Sequence, residues 1–499
     1  MRHALTAALG LAMILAALPA SPQSGSPDRR SVVKIESTSR TPNLLQPWTR
    51  SAASVSGGTG VILEGNRILT NAHVVDYASR ILVQPHQSSD RFEANIVAIA
   101  RGIDLALLEL EDEAFFDEYP AATLSDELPT IGSTVTALGY PLGGDAMSVT
   151  EGVVSRVEHT GYKAETLGLR VQVDVALNPG NSGGPVFMGG TVIGVVFSGI
   201  PSAENIGYVI PTDEIRMFLN DVADGTYHGK PRIFARLQTA ENDAVRDRLG
   251  LDRGTTGLIV TAEGPTPELK IWDVITAIGG HDIDNVGMID VSEADDLRLH
   301  FGYKIPKLVQ AAGGSLEGAT VPVTVLRAGE TLELELTVAS RRDGLIRPLD
   351  GAYPSYVVYG PMVFTPAYSE LMQSAGRAAL LLASNSSPLI NRLNDLRESP
   401  DEELVIVPAP FFPHRLTKGY ELGVVPVVES VNGTPITSLA QMVELLEANT
   451  EAYTEFTFAG TSNETLVFRT EDLREATEDV LDDAGIRRQA SDDLLDLLR

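Results

Sequence analysis

The chain has 499 residues, a length expected to divide into about three domains, and 43% of them are apolar, so packed cores are expected rather than disorder. A formal net charge of −29 denies it the positive field that draws in a phosphate backbone, so nucleic acid is not an expected partner and the acidity reads as solubility. There is no cysteine, which excludes disulfides, thiol chemistry, cysteine-ligated zinc and lipidation at a cysteine.

At the amino terminus, Arg2 and His3 precede an apolar run from Ala4 to about Ala17, followed by Leu18-Pro19-Ala20-Ser21. The run is short for a membrane span and reads as a signal peptide over residues 1–20, with cleavage near Ala20 and an uncleaved anchor as the alternative. Residues 21–30 are a tether of Pro, Ser, Gly and charge. From Ser31 to about Val209 short apolar runs such as Gly60-Val61-Ile62-Leu63, Arg80-Ile81-Leu82-Val83 and Val192-Ile193-Gly194-Val195-Val196 are divided by Gly, Asn and Pro. That texture predicts a β-sandwich or barrel. Pro211-Thr212-Asp213-Glu214-Ile215 then opens a helix, with Thr212 as its cap, Ile215, Phe218 and Leu219 on its apolar face, and an end near Gly225. Gly229-Lys230-Pro231 is a linker.

A second unit follows, with strands at Gly257–Val260, Trp272–Gly280 and Val321–Glu330. The segment Asp295 to Gln310 reads as a helix through Leu297, Phe301, Ile305 and Leu308. A third unit repeats this order weakly, with strands at Gly423–Val428 and Val431–Ile436 and a helix over Leu439 to Leu446. From Glu471 the chain is acidic and helical in pattern, as a solvated surface helix or an oligomer contact.

The chemistry concentrates in three segments. Asn178-Pro179-Gly180-Asn181-Ser182-Gly183-Gly184-Pro185 sets a serine among glycines, which lets a tight turn present a nucleophile beside backbone N–H groups. Thr70-Asn71-Ala72-His73-Val74-Val75 holds a histidine in an apolar context, and Gly102-Ile103-Asp104-Leu105-Ala106-Leu107-Leu108 puts a carboxylate at the head of an apolar run. A serine hydroxyl needs a base to attack a carbonyl, and an imidazole titrating near neutrality serves. Ser182 is therefore the candidate nucleophile, His73 its base and Asp104 the group that orients the imidazole. The order His, Asp, Ser is that of chymotrypsin-type proteases, not of subtilisins or α/β-hydrolases. Backbone N–H groups along Gly180, Asn181 and Ser182 are the candidate oxyanion hole, those of Gly180 and Ser182 foremost. Likeness to trypsin-like proteases implies that Ala176, Leu177, Phe197, Ser198 and Gly199, with Ile200, line the specificity pocket. With Ala176 where a trypsin-like enzyme would place its aspartate, cleavage after small or medium apolar residues is expected, although Asp174 lies near enough in sequence to keep that alignment open. Gly143-Gly144-Asp145 and Gly313-Gly314 lack the Lys-Ser/Thr ending of a phosphate loop, and the pairs Asp482-Asp483 and Asp492-Asp493 lack metal-ligand spacing, so neither cofactor nor metal is expected.

With these residues in place, the chain resembles the HtrA/DegP family of serine proteases, and within it the plant-type Deg proteases with two PDZ domains. The resemblance rests on Gly57-Gly58-Thr59-Gly60-Val61-Ile62, the three segments above, Gly139-Tyr140-Pro141 and Glu204 to Thr212. Beyond them it draws on Trp272-Asp273-Val274-Ile275, Gly351-Ala352-Tyr353-Pro354-Ser355-Tyr356 and Val363-Phe364-Thr365-Pro366. It implies a mostly β chain: a chymotrypsin-like double β-barrel over 31–228, PDZ-like α+β domains over 229–342 and 343–478, and an acidic C-terminal tail over 479–499. It further implies an ATP-independent endopeptidase for misfolded or damaged proteins, exported to the periplasm and assembled as a homo-oligomer of trimers. The alternative is a PDZ-bearing chaperone or scaffold whose protease domain mostly rests, switched through loops at Glu158 to Leu169 and Gly199 to Asn205. Two features depart from the pattern. The segment Lys230-Pro231-Arg232-Ile233-Phe234 lacks the glycines of a carboxylate-binding loop, and Trp272 stands where glycine is usual, so peptide capture by the first PDZ-like unit is not implied.

Overall fold

The computed structural model of the chain describes residues 28–498, apart from 143, 163–165, 200–206, 263, 265, 293–296, 315–317, 375, 377 and 462. The expected signal peptide and most of the tether lie outside the described residues.

Strands β1 (Val32–Ser39), β2 (Ser54–Leu63), β3 (Arg67–Thr70), β4 (Ala78–Gln84), β5 (Phe92–Ala100) and β6 (Leu105–Leu110) close into a barrel in the order β1-β2-β3-β6-β5-β4. Strands β7 (Thr134–Gly139), β8 (Ser148–Gly161), β9 (Leu167–Val173), β10 (Pro185–Met188), β11 (Thr191–Gly199) and β12 (Gly207–Pro211) close a second, in the order β10-β11-β12-β9-β8-β7. Closure removes free sheet edges. The apolar run Leu105–Leu108 of β6 follows from burial on both faces, inside its own barrel and against the second one, since such a stretch cannot alternate with polar residues. Ala106 and Leu108 fill the first barrel with Ile35, Ile62 and Ile68. Leu105 and Leu107 face the other way, into a core shared with Leu138, Tyr140, Phe187 and Ile210 of the second barrel.

A helix over Thr212–Asp221 follows, with Pro211 at the N-cap position. Thr212 is thus the first helical residue rather than the cap: its side chain makes no capping bond, and its hydroxyl is buried without a partner among the described residues. The helix runs into a short 3-10 turn that ends at Gly225, which is left-handed at φ 91°. Its first turn is the junction with the middle unit. Glu214, fully buried, accepts from the Leu169 N–H at 2.7 Å and pairs with Lys230 at 2.8 Å. Asp213 accepts from the Tyr303 hydroxyl at 3.0 Å and pairs with Lys307 at 2.6 Å.

In the middle unit, strands at Arg236–Thr239, Leu258–Ala262, Val274–Ile278, Thr320–Arg327 and Glu330–Thr337 form one sheet. The expected helix from Asp295 to Gln310 is only half right. Leu297–His300 is a strand paired with Met288–Ser292, Phe301–Tyr303 is a 3-10 turn, and the helix proper is Lys304–Ala311. Leu299 and Tyr303 are drawn into the core of the second barrel, and that burial with the strand pairing outweighs the local helical period.

The last unit is a sheet of strands from Val357–Tyr359 to Leu466–Arg469, packed under a helix at Leu439–Ala448 that Ser438 caps at 3.1 Å. The acidic terminal helix, Thr470–Asp483, turns Leu473, Ala476 and Val480 inward. The chain then returns to the sheet, where Ala490 bridges to Val357 and Leu494 joins the core. This unit leans on the first barrel: Trp48 packs against Tyr356 and Phe412, and the Tyr353 hydroxyl donates to the Arg40 carbonyl at 2.8 Å.

Two histidines stack at the middle junction, His159 of β8 on His300, with ring centroids 5.8 Å apart and planes within 5°. Burial, with Lys230 and His300 adding to it, pushes His159 down to about 3, and burial lowers His300 as well. In the unfolded chain both rings take up a proton near pH 6.5. The unfolded state therefore binds more protons below that pH, and stability falls as pH drops from about 6.5 toward 3. Thermal melts across that window are expected to show a shallower fall in Tm for a His159→Asn/His300→Asn variant than for wild type. Separately, Lys230→Met strands the Glu214 carboxylate and is expected to destabilise the protease unit by about 3–5 kcal/mol in urea melts.

Candidate active site

His73 stands on a single helical turn, Ala72–Val75, anchored by three buried neighbours, Ala72, Val74 and Val75. Its own side chain is 40% exposed, so the turn grips the barrel core and offers the imidazole outward. His73 Nδ1 lies 2.6 Å from Asp104 Oδ2, and the His73 backbone N–H donates to Asp104 Oδ1 at 3.0 Å. With Nδ1 engaged, Nε2 is the nitrogen left for proton transfer. Asp104 is fully buried, and its carboxylate is held there by both contacts to one residue. Its backbone is left-handed at φ 58°, a conformation aspartate tolerates better than most residues, and Asn71 Nδ2 donates to its carbonyl at 2.9 Å.

Ser182 is half-buried in the loop between β9 and β10. Glycine is required on both sides of it. Gly180 has φ 101°, and a Cβ there would lie 2.4 Å from the Tyr140 carbonyl oxygen. Gly183 has φ 81°, and a Cβ there would lie 2.2 Å from the Thr59 carbonyl oxygen and 2.4 Å from Thr70 Oγ1. That approach sets the serine loop against the strand end that leads into the His73 turn. The Pro179 carbonyl accepts from the Leu142 N–H at 2.8 Å. In a trans peptide the N–H points opposite to the C=O, so the Gly180 N–H faces away from Leu142. Of the three N–H groups expected to form an oxyanion hole, that of Asn181 is spent on the Asn178 carbonyl at 3.0 Å. Those of Gly180 and Ser182 carry no protein partner among the described residues.

The expected specificity residues are placed unevenly. Leu177 packs on Gly207, where a Cβ would meet Leu177 Cδ1 at 2.5 Å, and Phe197 is 8% exposed, while Ala176 is exposed. The backbones of Ser198 and Gly199 pair with Tyr208 and Gly207. Ile200 and most of the expected switch loop from Gly199 to Asn205 lie outside the described residues, as do residues 163–165 of the other. Asp174 turns its Oδ1 to the Val153 N–H at 2.5 Å and so is tied to β8. Trp272 adopts φ 76°, which is why glycine would be the easy choice there, and Arg248 stacks on its ring at 4.8 Å. Among the described residues no cluster of three His, Asp or Glu could hold a metal ion. Sequence reasoning assigned no role to Thr59, Thr70 and Asn71, which tie the site together; their signal was their position inside the two motifs already singled out.

Residues 58–195 match a family model described as a trypsin-like peptidase domain, and residues 349–493 match one described as a PDZ domain. Among curated proteins the chain is 32% identical over 428 residues to Protease Do-like 4, mitochondrial, of Arabidopsis thaliana, covering 84% of this chain and 76% of that protein. It is 31% identical over 479 residues to Protease Do-like 2, chloroplastic, of the same plant, covering 93% and 75%. A solved HtrA-type protease, AlgW with decapeptide, aligns with TM-score 0.47 and 23% identity over 64% of this chain and 98% of its own. With the double barrel, the peptidase match and relatives aligned over most of both lengths, the chain belongs to the Do-like (Deg/HtrA) family of serine proteases and is a serine-type endopeptidase.

Proposed function

We propose that Ser182, His73 and Asp104 carry the hydrolysis by an acyl-enzyme route. The Ser182 hydroxyl attacks the scissile carbonyl as His73 Nε2 takes its proton, and Asp104 steadies the imidazolium that forms. The tetrahedral oxyanion is met by the N–H groups of Gly180 and Ser182, a type of contact worth about 2.7–4 kcal/mol per donor in the transition state. His73 then returns the proton to the leaving amine, and water repeats the sequence on the ester. The observation that carries this reading is the 2.6 Å contact between His73 Nδ1 and the fully buried Asp104.

The substrates in this reading are unfolded or damaged proteins, cleaved after small or medium apolar residues such as Val, Ala or Leu. In this reading Leu177 and Phe197 are the apolar side chains assigned to the pocket, and the Asp174 carboxylate is turned toward the Val153 N–H of β8. ATP is not needed, and assembly is into trimers or their multiples. Export to the periplasm through the amino-terminal signal belongs to the same reading; among the described residues no helix is long and apolar enough to cross a membrane.

The decisive experiment is digestion of unfolded β-casein by wild type and Ser182→Ala. Fragments from wild type alone are expected, with kcat in the variant reduced on the order of 10⁶-fold; equal cleavage by both would remove Ser182 from the mechanism. Asp104→Asn should lower kcat by on the order of 10⁴-fold while leaving KM nearly unchanged, as read with a fluorogenic peptide. Mass spectrometry of the fragment ends should show Val, Ala or Leu before the cut; a run of Lys or Arg there would refute the apolar pocket.

A further inference from the structure

Thr59, on β2 of the first barrel, is fully buried and bonded at every polar atom. Its N–H donates to the Ser182 carbonyl at 2.9 Å, and its own carbonyl accepts from the Thr70 hydroxyl at 2.8 Å. Its hydroxyl oxygen lies 2.8 Å from the Tyr140 backbone nitrogen and 2.8 Å from the Gly180 carbonyl oxygen. A hydroxyl has one proton, and a backbone N–H can only donate. Tyr140 N–H therefore gives to Thr59 Oγ1, and Thr59 must give its own proton to the Gly180 carbonyl.

That assignment has a consequence at Gly180. The peptide before it is held by Leu142 through the Pro179 carbonyl, and the peptide after it is held by Thr59 through the Gly180 carbonyl. Glycine has the widest conformational choice of any residue; a turn of the peptide before it swings the Gly180 N–H away from where an oxyanion forms, and a turn of the peptide after it redirects the backbone that leads to the Ser182 N–H. With both neighbours pinned, φ and ψ of Gly180 are fixed together, at the φ of 101° observed. Through Thr70 the same residue reaches Asn71, which holds the Asp104 carbonyl at 2.9 Å.

We propose that Thr59 is a positioning residue: its hydroxyl clamps the Gly180 carbonyl and so holds the oxyanion hole of this protease in its competent form. This rests on the reading of Ser182 as nucleophile and Gly180 as an oxyanion donor.

The test compares Thr59→Val, which keeps the shape and removes the hydroxyl, with Thr59→Ser, which keeps the hydroxyl and removes a methyl. On a fluorogenic apolar peptide, Thr59→Val is expected to lose about 10- to 100-fold in kcat with KM within about twofold of wild type. Thr59→Ser should stay within about threefold of wild type in both. A peptide aldehyde, which forms a tetrahedral adduct on the serine, should lose affinity for Thr59→Val in step with kcat, while a product peptide binds unchanged. Wild-type kcat in Thr59→Val, a rise in KM alone, or equal damage in Thr59→Ser would each overturn the clamp. Should Thr59→Val leave Tyr140 N–H without an acceptor and fail to fold, Thr59→Cys, a weak donor of similar size, decides by the same kcat-against-KM split. Ser182→Ala run alongside separates the two readings. If it still hydrolyses the peptide, the nucleophile assignment has failed; if it is inert and Thr59→Val is fully active, only the clamp has.

Discussion

The apolar seam between the two barrels is the constraint on which the rest of the protease unit depends. Leu105 and Leu107 enter it from one side and Leu138, Tyr140, Phe187 and Ile210 from the other. Two of these residues stand beside the candidate site: Leu105 directly follows Asp104, and Tyr140, just past the end of β7, sets its carbonyl against Gly180 of the serine loop. Packing at close to crystalline density leaves such neighbours little room to drift. The histidine turn is held from behind in the same way, by Val74 and Val75 in the first barrel. The segments that carry His73, Asp104 and Ser182 are thus seated by hydrocarbon contacts, to which the two bonds between His73 and Asp104 are added.

The polar framework then refines what the apolar seam places. Thr59, fully buried, joins the first barrel to the serine loop and to the end of β7 through three hydrogen bonds, and a fourth, from Thr70, ties it within its own barrel. In such surroundings a satisfied network specifies one geometry, because any alternative leaves a donor or acceptor bare. The same logic governs the junction with the middle unit. Glu214 is fully buried and serves both the β9 backbone and the Lys230 ammonium, so the linker is tied to a strand of the second barrel. A buried pair of this kind adds little net stability relative to a hydrophobic substitute, but it is intolerant of losing one partner.

How much of this could be read from the chain depends on how local the determinant is. The eight residues around Ser182 carry their own explanation, since Gly180 and Gly183 occupy backbone positions that a side chain would obstruct. His73 and Asp104 were legible from context, one inside a buried turn and the other at the head of a doubly buried strand. The strand at Leu297–His300 was not, because its periodicity is helical and only the barrel wall and the Met288–Ser292 strand decide otherwise. Thr212 was misassigned by one position, as capping follows the backbone angles of Pro211 more than residue type. The part played by Thr59 is not legible in the sequence for a different reason. A threonine in a β-strand is ordinary, and its role exists only once Gly180, more than a hundred residues away, is folded against it.

The two tryptophans of the chain have fallen in separate places. Trp48 belongs to the first barrel yet packs against Tyr356 and Phe412 of the last unit, so its indole senses whether those two units are docked. Trp272 sits 40% exposed in the middle unit under the Arg248 guanidinium, remote in sequence from that contact. Intrinsic fluorescence of the unlabelled protein therefore contains two independent optical channels. Replacing either indole by phenylalanine isolates the other, so that separation of the last unit and rearrangement of the middle one can be followed as distinct spectral events.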